Sequence, residues 1–290
     1  MGKSREIKKR MKAVGNIKRI TRTMQMIATS KFSKAQQASL ATKPYTSALF
    51  GLVGQLGAAG VGEGHPLLSE PQSDAPELTL IITADRGLCG PYNGSLIRTA
   101  LAHLKTDSKI ANGPIEVVGK KGANTLKFNG FTGFTHHTHF GDKPSYEDVE
   151  RLAQSFIDAF VAGKVSAVRV IYMRYISAGK QTPEVLQLLP FSAPKADQSA
   201  ESGRQDVYEF SPDAESLLDS ILPAAVKAVL FQAFNDAIVS EHIARMVAMK
   251  AATDNAGKMG NALRRQFNRA RQAQITTELT EIISGAAALE

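Results

Sequence analysis

Two stretches of this chain carry residue types that could do chemistry. The first is "TADRGLCGPYNGS", residues 83–95, which follows a β-rich run and precedes a helical pattern. Phosphate-binding loops occur at such junctions, where backbone N–H groups at a helix start meet an anion. Here, however, the glycines stand at 87, 90 and 94, which fits neither GxxxxGK(S/T) nor GxGxxG. Asp85 and Arg86 are therefore expected to shape the turn rather than hold a nucleotide. The second stretch is "THHTHF", residues 135–140. On a strand, His137 and His139 would share one face, with His136 opposite. Two imidazoles without a nearby cysteine or a well-spaced carboxylate make a weak metal site. Cys89 is the only cysteine and has no histidine at a telling spacing, so it reads as a structural thiol. Alone, it excludes an internal disulfide framework and a thiolate-rich zinc centre. There is no Ser/His/Asp signature and no paired-carboxylate motif, and neither cofactor nor metal is expected.

With 290 residues, 43% of them hydrophobic and 21% charged, the composition is that of an ordinary soluble protein of one or two domains. No run approaches eighteen uninterrupted apolar residues, so no membrane span is expected. The opening "MGKSREIKKRMKAVGNIKRI" has charge but no apolar h-region, unlike a secretory signal. The expected compartment is the cytosol or a face exposed to it. The net charge of +8 is unevenly placed: twelve basic residues between Lys3 and Lys43 face one acid, Glu6. A second basic stretch gathers Arg245, Lys250, Lys258, Arg264, Arg265, Arg269 and Arg271. Two basic ends imply an acidic partner: nucleic acid, a membrane surface or an acidic protein surface.

The elements follow from periodicity. Ile7, Met11, Val14, Ile17, Ile20, Met24 and Ile27 recur in steps of three and four, which predicts a helix over 1–60. Its length argues for a coiled coil. Residues 75–210 read as an α/β domain. The runs "ELTLIIT", "IEVVGKKG", "AVRVIYMRYIS", "QTPEVLQLLPF" and "DVYEFS" are extended, and "PYNGSLIRTALAHLKT" and "SYEDVERLAQSFIDAFVAG" are helical. Such alternation predicts a mostly parallel, Rossmann-like sheet. Residues 211–290 read as a second long helix, with Ser211 at its N-cap, Pro212 at its first position and a kink or restart at Pro223. Met246, Met249, Thr253, Ala256, Gly260, Leu263, Phe267 and Ala270 alternate steps of three and four, a heptad seam.

From residue 224 to 287 such a helix would be about 95 Å long. A compact chain of this size is only about 50 Å across. The helix is therefore expected to project, with the N-terminal helix as its antiparallel mate. After Ala270 the apolar stripe jumps to Ile275 and continues through Leu279, Ile282, Ala286 and Leu289. Arg264, Arg271 and Glu278 line another face beside Gln272 and Thr276. The changed stripe suits a tip that sits in another molecule's apolar hole.

Three function classes remain open on these residues. A mechanical or scaffold subunit accounts for the coiled coil, the shifted seam and the missing catalytic motif. A basic coiled-coil nucleic-acid-binding protein accounts for the charged ends, although the stripe lacks interleaved aromatics. An α/β enzyme accounts for the middle only.

The segments "ITTELTEIISGAA" (275–287), "ARMVAMKAATDNAGK" (244–258), "DRGLCG" (85–90) and "RITRTMQMIATSK" (19–31) closely resemble the gamma subunit of F-type ATP synthases, and the likeness extends over essentially the whole chain. The resemblance implies a non-catalytic central rotor shaft of a proton-translocating ATP synthase. Its terminal helices would form an antiparallel coiled coil within a hexamer of alpha and beta subunits. Its α/β domain would lie against the epsilon subunit and the c-ring, with membrane contact only through that ring and no nucleic acid. It also implies a place on the cytoplasmic face of a bacterial inner membrane, or the matrix face in a mitochondrion. Rotor–stator contacts would fall to Met24, Arg245, Arg271, Gln272, Thr276, Glu278 and Glu281. A sleeve-facing tip would comprise Ile275, Leu279, Ile282, Ala286 and Leu289, and a c-ring foot Tyr208 and Phe210. Pro223 departs from the family pattern, and lone Cys89 leaves no regulatory cysteine pair.

Because residues 83–95 lack a phosphate-loop pattern, the purified chain is expected to bind and hydrolyse no ATP. Isothermal titration calorimetry checks this, and a saturable ATP isotherm would contradict it.

Overall fold

The computed structural model describes residues 2–58, 65–69, 74–192 and 214–287. The expected strand "DVYEFS" and the Tyr208–Phe210 foot lie outside the described residues, as does Leu289. Two long helices, α1 (Gly2–Ala58) and α6 (Ala214–Ala287), flank an α/β segment. The chain divides into two compact units, one of Lys31–Ala244 and one of Met1–Ser30 with Arg245–Glu290. Each long helix contributes to both.

In the larger unit, β1 (Glu77–Ile82), β2 (Ile115–Val118), β3 (Thr135–His137), β4 (Ala167–Ser177) and β5 (Lys180–Leu189) form one sheet in the order β3-β2-β1-β4-β5. The β1–β2, β1–β4 and β2–β3 pairings are parallel, and β4–β5 is an antiparallel hairpin. The mostly parallel α/β sheet read from the sequence is thus present, with one antiparallel edge. Between the strands run α2 (Tyr92–His103), the short α3 (Ser108–Ala111), α4 (Lys120–Phe128) and α5 (Tyr146–Val161).

Period-two alternation sorts the strand side chains into two cores. Leu80, Ile82, Val118, Val170 and Tyr172 face a core shared with α5 and with parts of α1 and α6. Ile81, Val117, Ile171 and Met173 face the opposite core, built with α2 and α4. Both faces of the central strands are covered, which is why β1, β2 and the first part of β4 are rich in apolar residues. Phe156 of α5 and Phe234 of α6 are each 1% exposed and anchor the first core. At the start of α5, the Ser145 hydroxyl accepts the Asp148 N–H at 3.1 Å, a side-chain N-cap.

Helix α6 runs through Pro223 without the expected restart. A proline there removes one backbone hydrogen bond. Leu218, Leu222, Ala225 and Val226 are all buried around it, and that packing holds the helix together. Pro44 is likewise accommodated inside α1. An 18-residue window of α6 reaches a mean hydropathy of 1.5, but half of it is buried within the structure, as in a core helix.

The β1–α2 and β2–α4 junctions are locked together. Thr83 Oγ1 bonds the Val118 carbonyl at 2.8 Å and accepts the Gly122 N–H at 2.9 Å. At Gly119 (φ +92°), an added Cβ would lie 2.1 Å from the Thr83 carbonyl oxygen. Gly130 has a similar φ of +84° but open space around it. Gly130→Ala is therefore expected to cost about 1–2 kcal/mol, the strain alone. Gly119→Ala is expected to cost at least ~3 kcal/mol, because backbone must also move. Urea unfolding of the two variants checks the difference, and equal costs would contradict the close approach.

Candidate functional site

The carboxyl ends of the strands are where an open α/β sheet binds ligands. In the α/β unit that place is filled. The ring of Phe234 on α6 packs on Phe140 at 4.8 Å, and the Tyr92 hydroxyl donates to the Ala237 carbonyl at 3.1 Å. The crevice left among Ile82, Asp85, Gly119, His137 and Phe234 measures about 20 Å³, the size for one water. Asp85 Oδ1 accepts the Lys120 N–H at 3.0 Å, so a side-chain carboxylate already occupies the start of α4. Asn93 completes the loop, accepting from Ala84 N at 3.1 Å and donating to Cys89 Sγ at 3.2 Å. Asp85 thus shapes the turn as the sequence suggested. Nearby, the Lys31 ammonium bonds Asp142 at 2.5 Å and holds that carboxyl below its ordinary range.

The histidines of 135–140 do not assemble a metal site among the described residues. Strand β3 stops at His137, whose Nε2 lies 2.6 Å from Glu116 Oε2 on β2. The His139 ring meets His137 edge-on at 5.8 Å and tilts onto Phe140 at 4.2 Å. His137 is engaged in fastening a short edge strand to its neighbour.

The smaller unit is an antiparallel pair formed by the first half of α1 and the last part of α6. Thr253 Oγ1 donates to Thr21 Oγ1 at 2.8 Å in a buried contact, and Ser4 Oγ donates to Gln274 Oε1 at 3.2 Å. Between them Gly260 lies beside Val14, and Gly257 lies beside the Lys18 side chain. The α6 seam is as read: Met249, Thr253 and Ala256 are buried, and Met246, Gly260, Leu263, Phe267 and Ala270 are half-buried.

The α1 seam departs from the reading. Ile7, Met11 and Val14 face α6, but Ile17, Ile20 and Ile27 are 52%, 57% and 53% exposed. Packing passes instead through Thr21, Gln25 and Ala28. Three consecutive steps of three carry a pattern off one face of a 3.6-residue helix, whereas 4, 7, 11, 14, 21, 25 and 28 keep to a heptad. Ile17, Ile20, half-buried Met24 and Ile27 thus form a separate outward stripe. It was missed because the true seam uses a threonine, a glutamine and an alanine there. The run of threes was the available signal.

Beyond Gln274 every described residue of α6 is exposed, including Ile275 (56%), Leu279 (56%), Ile282 (69%) and Ala286. Ser4 is already opposite Gln274, and only Gly2 and Lys3 of α1 are described beyond it. Arg271, Gln272, Thr276, Glu278 and Glu281 are exposed as well. Glu278 accepts from Gln274 at 2.9 Å, and the Thr276 hydroxyl bonds back to the Gln272 carbonyl at 3.0 Å. Arg245 is half-buried. The Thr21–Thr253 pairing sets Arg245 level with residue 29, roughly 8 Å along the axis from Met24 at 1.5 Å per residue. Those two residues are not brought together. Arg5, Lys8, Lys9 and Lys12 line an exposed basic strip on α1.

A family model described as "ATP synthase" matches residues 3–289. The ATP synthase gamma chain of Rhodopirellula baltica is 41% identical over 295 residues, covering 100% of both chains. That of Variovorax paradoxus is 39% identical over 290 residues, covering 99% of each. The chain belongs to the ATP synthase gamma chain family. Among solved structures, a chain of the Euglena gracilis mitochondrial ATP synthase (OSCP/F1/c-ring, rotational state 3) superposes with a TM-score of 0.68 at 19% identity. That match covers 99% of this chain and 95% of the other, and it shows the shared fold. As a gamma chain, the protein is a subunit of ATP synthase, and the nucleic-acid alternative is left without support.

Since the apolar residues of this gamma chain's tip are exposed among the described residues, replacing Ile275, Leu279 and Ile282 together by Gln is expected to leave the isolated chain's stability within about 0.5 kcal/mol. Ala256→Leu, at a buried seam position, is expected to cost about 1–3 kcal/mol by overpacking. Chemical denaturation combined with amide exchange in residues 250–274 checks the pair. Equal sensitivity at the two places would mean the tip is packed internally.

Proposed function

We propose that this gamma chain is the non-catalytic central rotor stalk of a proton-translocating F-type ATP synthase. It would couple rotation of a c-ring to the conformations of three beta-subunit sites during ATP synthesis or hydrolysis. The observation that carries this reading is the tip of α6. A stripe of Ile275, Leu279 and Ile282 is more than half exposed, and fully burying such a side chain from water is worth about 1.5–3 kcal/mol. A sleeve formed by the alpha and beta subunits is the natural place for it. Gly, Ala and Leu at 285–289 offer few directional hydrogen bonds, so turning within the sleeve breaks few specific contacts there.

Arg271, Gln272, Thr276, Glu278 and Glu281 would meet polar groups of a beta loop just below that tip. Met24 and Arg245 would meet the stator at two separate levels, and the outward Ile17–Ile20–Ile27 stripe would flank Met24. The basic strip from Arg5 to Lys12 suits acidic loops on the surrounding subunits. Driving one site fully between states needs a differential of about 5.5 kcal/mol. A single surface ion pair supplies only about 0–1 kcal/mol, so packing against the coiled coil must contribute most of it. The α/β unit, whose ligand crevice is filled by its own α6, would serve as the body contacting the epsilon subunit and the c-ring. The foot at Tyr208 and Phe210 would belong to that body. The complex would place the chain on the cytoplasmic face of a bacterial inner membrane, or the matrix face of a mitochondrial one.

A truncation series tests the reading. Removing residues 286–290 is expected to leave assembly and most coupled synthesis intact, since it deletes contact area without a polar anchor. Removing everything from Arg271 onward deletes the charge-assisted contacts and the apolar stripe together, and synthesis is expected to fall more than tenfold. ATP synthesis and subunit retention in inverted membrane vesicles are the readouts. Loss of assembly with the five-residue deletion would make the tip an anchor and overturn the bearing.

A further inference from the structure

In the α/β unit, a carboxyl is set into the wall between the two long helices. Asp236 of α6 is 7% exposed, and Ser39 of α1, which faces it, is 2% exposed. The Ser39 hydroxyl donates to Asp236 Oδ1 at 3.3 Å, and Gln232 Nε2 donates to the same oxygen at 2.8 Å. Gln232 Nε2 also reaches Ser39 Oγ at 3.0 Å, while the Thr42 hydroxyl donates to Gln232 Oε1 at 2.9 Å. Two side chains three apart on α1 thus close a ring of hydrogen bonds with two side chains four apart on α6. The spacings are those of residues sharing one helix face.

The surrounding apolar contact is non-directional. On α6 it mixes small side chains, Ala225, Ala228, Ala233 and Ala237, with the bulkier Leu222, Val226, Leu230 and Phe234. A buried polar group discriminates far better, because a slipped register leaves it without partners in a dry place. Slipping α1 by seven residues would set Phe32 or Thr46 opposite Asp236 in place of Ser39. Phe32 offers no hydrogen bond, and with Thr46 in that place Leu49 replaces Thr42 opposite Gln232, which loses that partner. We propose that Ser39, Thr42, Gln232 and Asp236 form a register key that holds α1 and α6 in a single antiparallel alignment. This inference goes beyond the rotor reading and does not rest on it.

A second property follows from the burial. It pushes the Asp236 carboxyl above its ordinary range, against the opposing effects of the Gln232 and Ser39 hydrogen bonds and the Lys43 and Arg174 charges. The charged and titratable groups facing it are Lys43 from α1, and Tyr172 and Arg174 from β4, with Glu184 of β5 paired to Arg174 at 3.3 Å. A carboxyl raised in the folded state favours folding most when protonated. Its contribution is complete below the unfolded value of about 3.9 and is lost as pH rises through the folded value. Asn at 236 keeps the shape and cannot titrate.

The test uses the full chain with spin labels at Leu40→Cys and Ser220→Cys, both exposed, while buried Cys89 stays unlabelled. Double electron–electron resonance is expected to give one distance for the otherwise unaltered chain and for Asp236→Asn. Asp236→Leu is expected to add a second population displaced by up to about 10 Å, the rise of seven residues. A single unshifted distance in Asp236→Leu overturns the key. Should that variant fail to fold, Ser39→Ala with Thr42→Val removes the α1 half and is read by the same two outcomes. In parallel, the unfolding midpoint of the unaltered chain minus that of Asp236→Asn is expected to fall between pH 4 and pH 8. An offset independent of pH, or one that rises, overturns the carboxyl's part in it.

Discussion

The antiparallel pairing of α1 with α6 is the constraint on which the remaining features depend. A long isolated helix is marginal in water, and most helical stability in proteins comes from burying one face. Each of these helices buries its face against the other and, in the α/β unit, against the sheet. Polar pairs at intervals mark the alignment: Thr21 with Thr253 in the coiled coil, and Ser39 with Asp236 in the body. These pairs are buried, so a shifted alignment would leave each without its partner. Beyond the Ser4–Gln274 contact, the described residues of α6 are all exposed, the apolar Ile275, Leu279 and Ile282 among them.

The α/β unit shows how a fold can keep an architecture and lose its usual site. Its strand order reverses beside β1, the place where such sheets hold nucleotides. Phe234 and Tyr92 fill that crevice, and Asp85 takes the start of α4 that a phosphate would need. The glycine at 119 survives there for packing, since a Cβ would strike the Thr83 carbonyl. The sheet here packs against the long helices on one face and against α2 and α4 on the other.

Much of this was legible from the residues alone. The α6 seam from Met246 to Ala270 was read without error because its alternation of threes and fours is regular and its members are apolar or small. Strands β1, β2 and β4 were read because burial makes them β-branched and apolar, but "IEVVGKKG" was read too long, since α4 begins at Lys120, and β3, Thr135–His137, is neither apolar nor deeply buried. The shift of stripe after Ala270 was visible too, and it falls where the intramolecular pairing stops. On α1 the reading drifted: Ile17, Ile20 and Ile27 are the conspicuous residues, yet Thr21, Gln25 and Ala28 do the packing. Hydrophobicity alone chose the wrong track because the outward stripe is the more apolar of the two. At Pro223 the sequence argued for a kink or restart, and the restart is overridden by the packing around Leu222 and Val226.

Sequence by itself therefore determined the element types, the two long helices, the parallel sheet and, through "ITTELTEIISGAA" and its companions, the family. These are local signals: periodicity, turn residues and short motifs, all carried within a few tens of residues. Tertiary structure alone decided which of two stripes on α1 faces inward, how the ligand crevice is filled, and that Asp236 meets Ser39. Each of those outcomes depends on a partner about two hundred residues away or, for the crevice, on α6 reaching back across the sheet. No periodicity within one segment encodes what will lie against it. Only the pairing of segments distant in the chain settles which side chains lose their water.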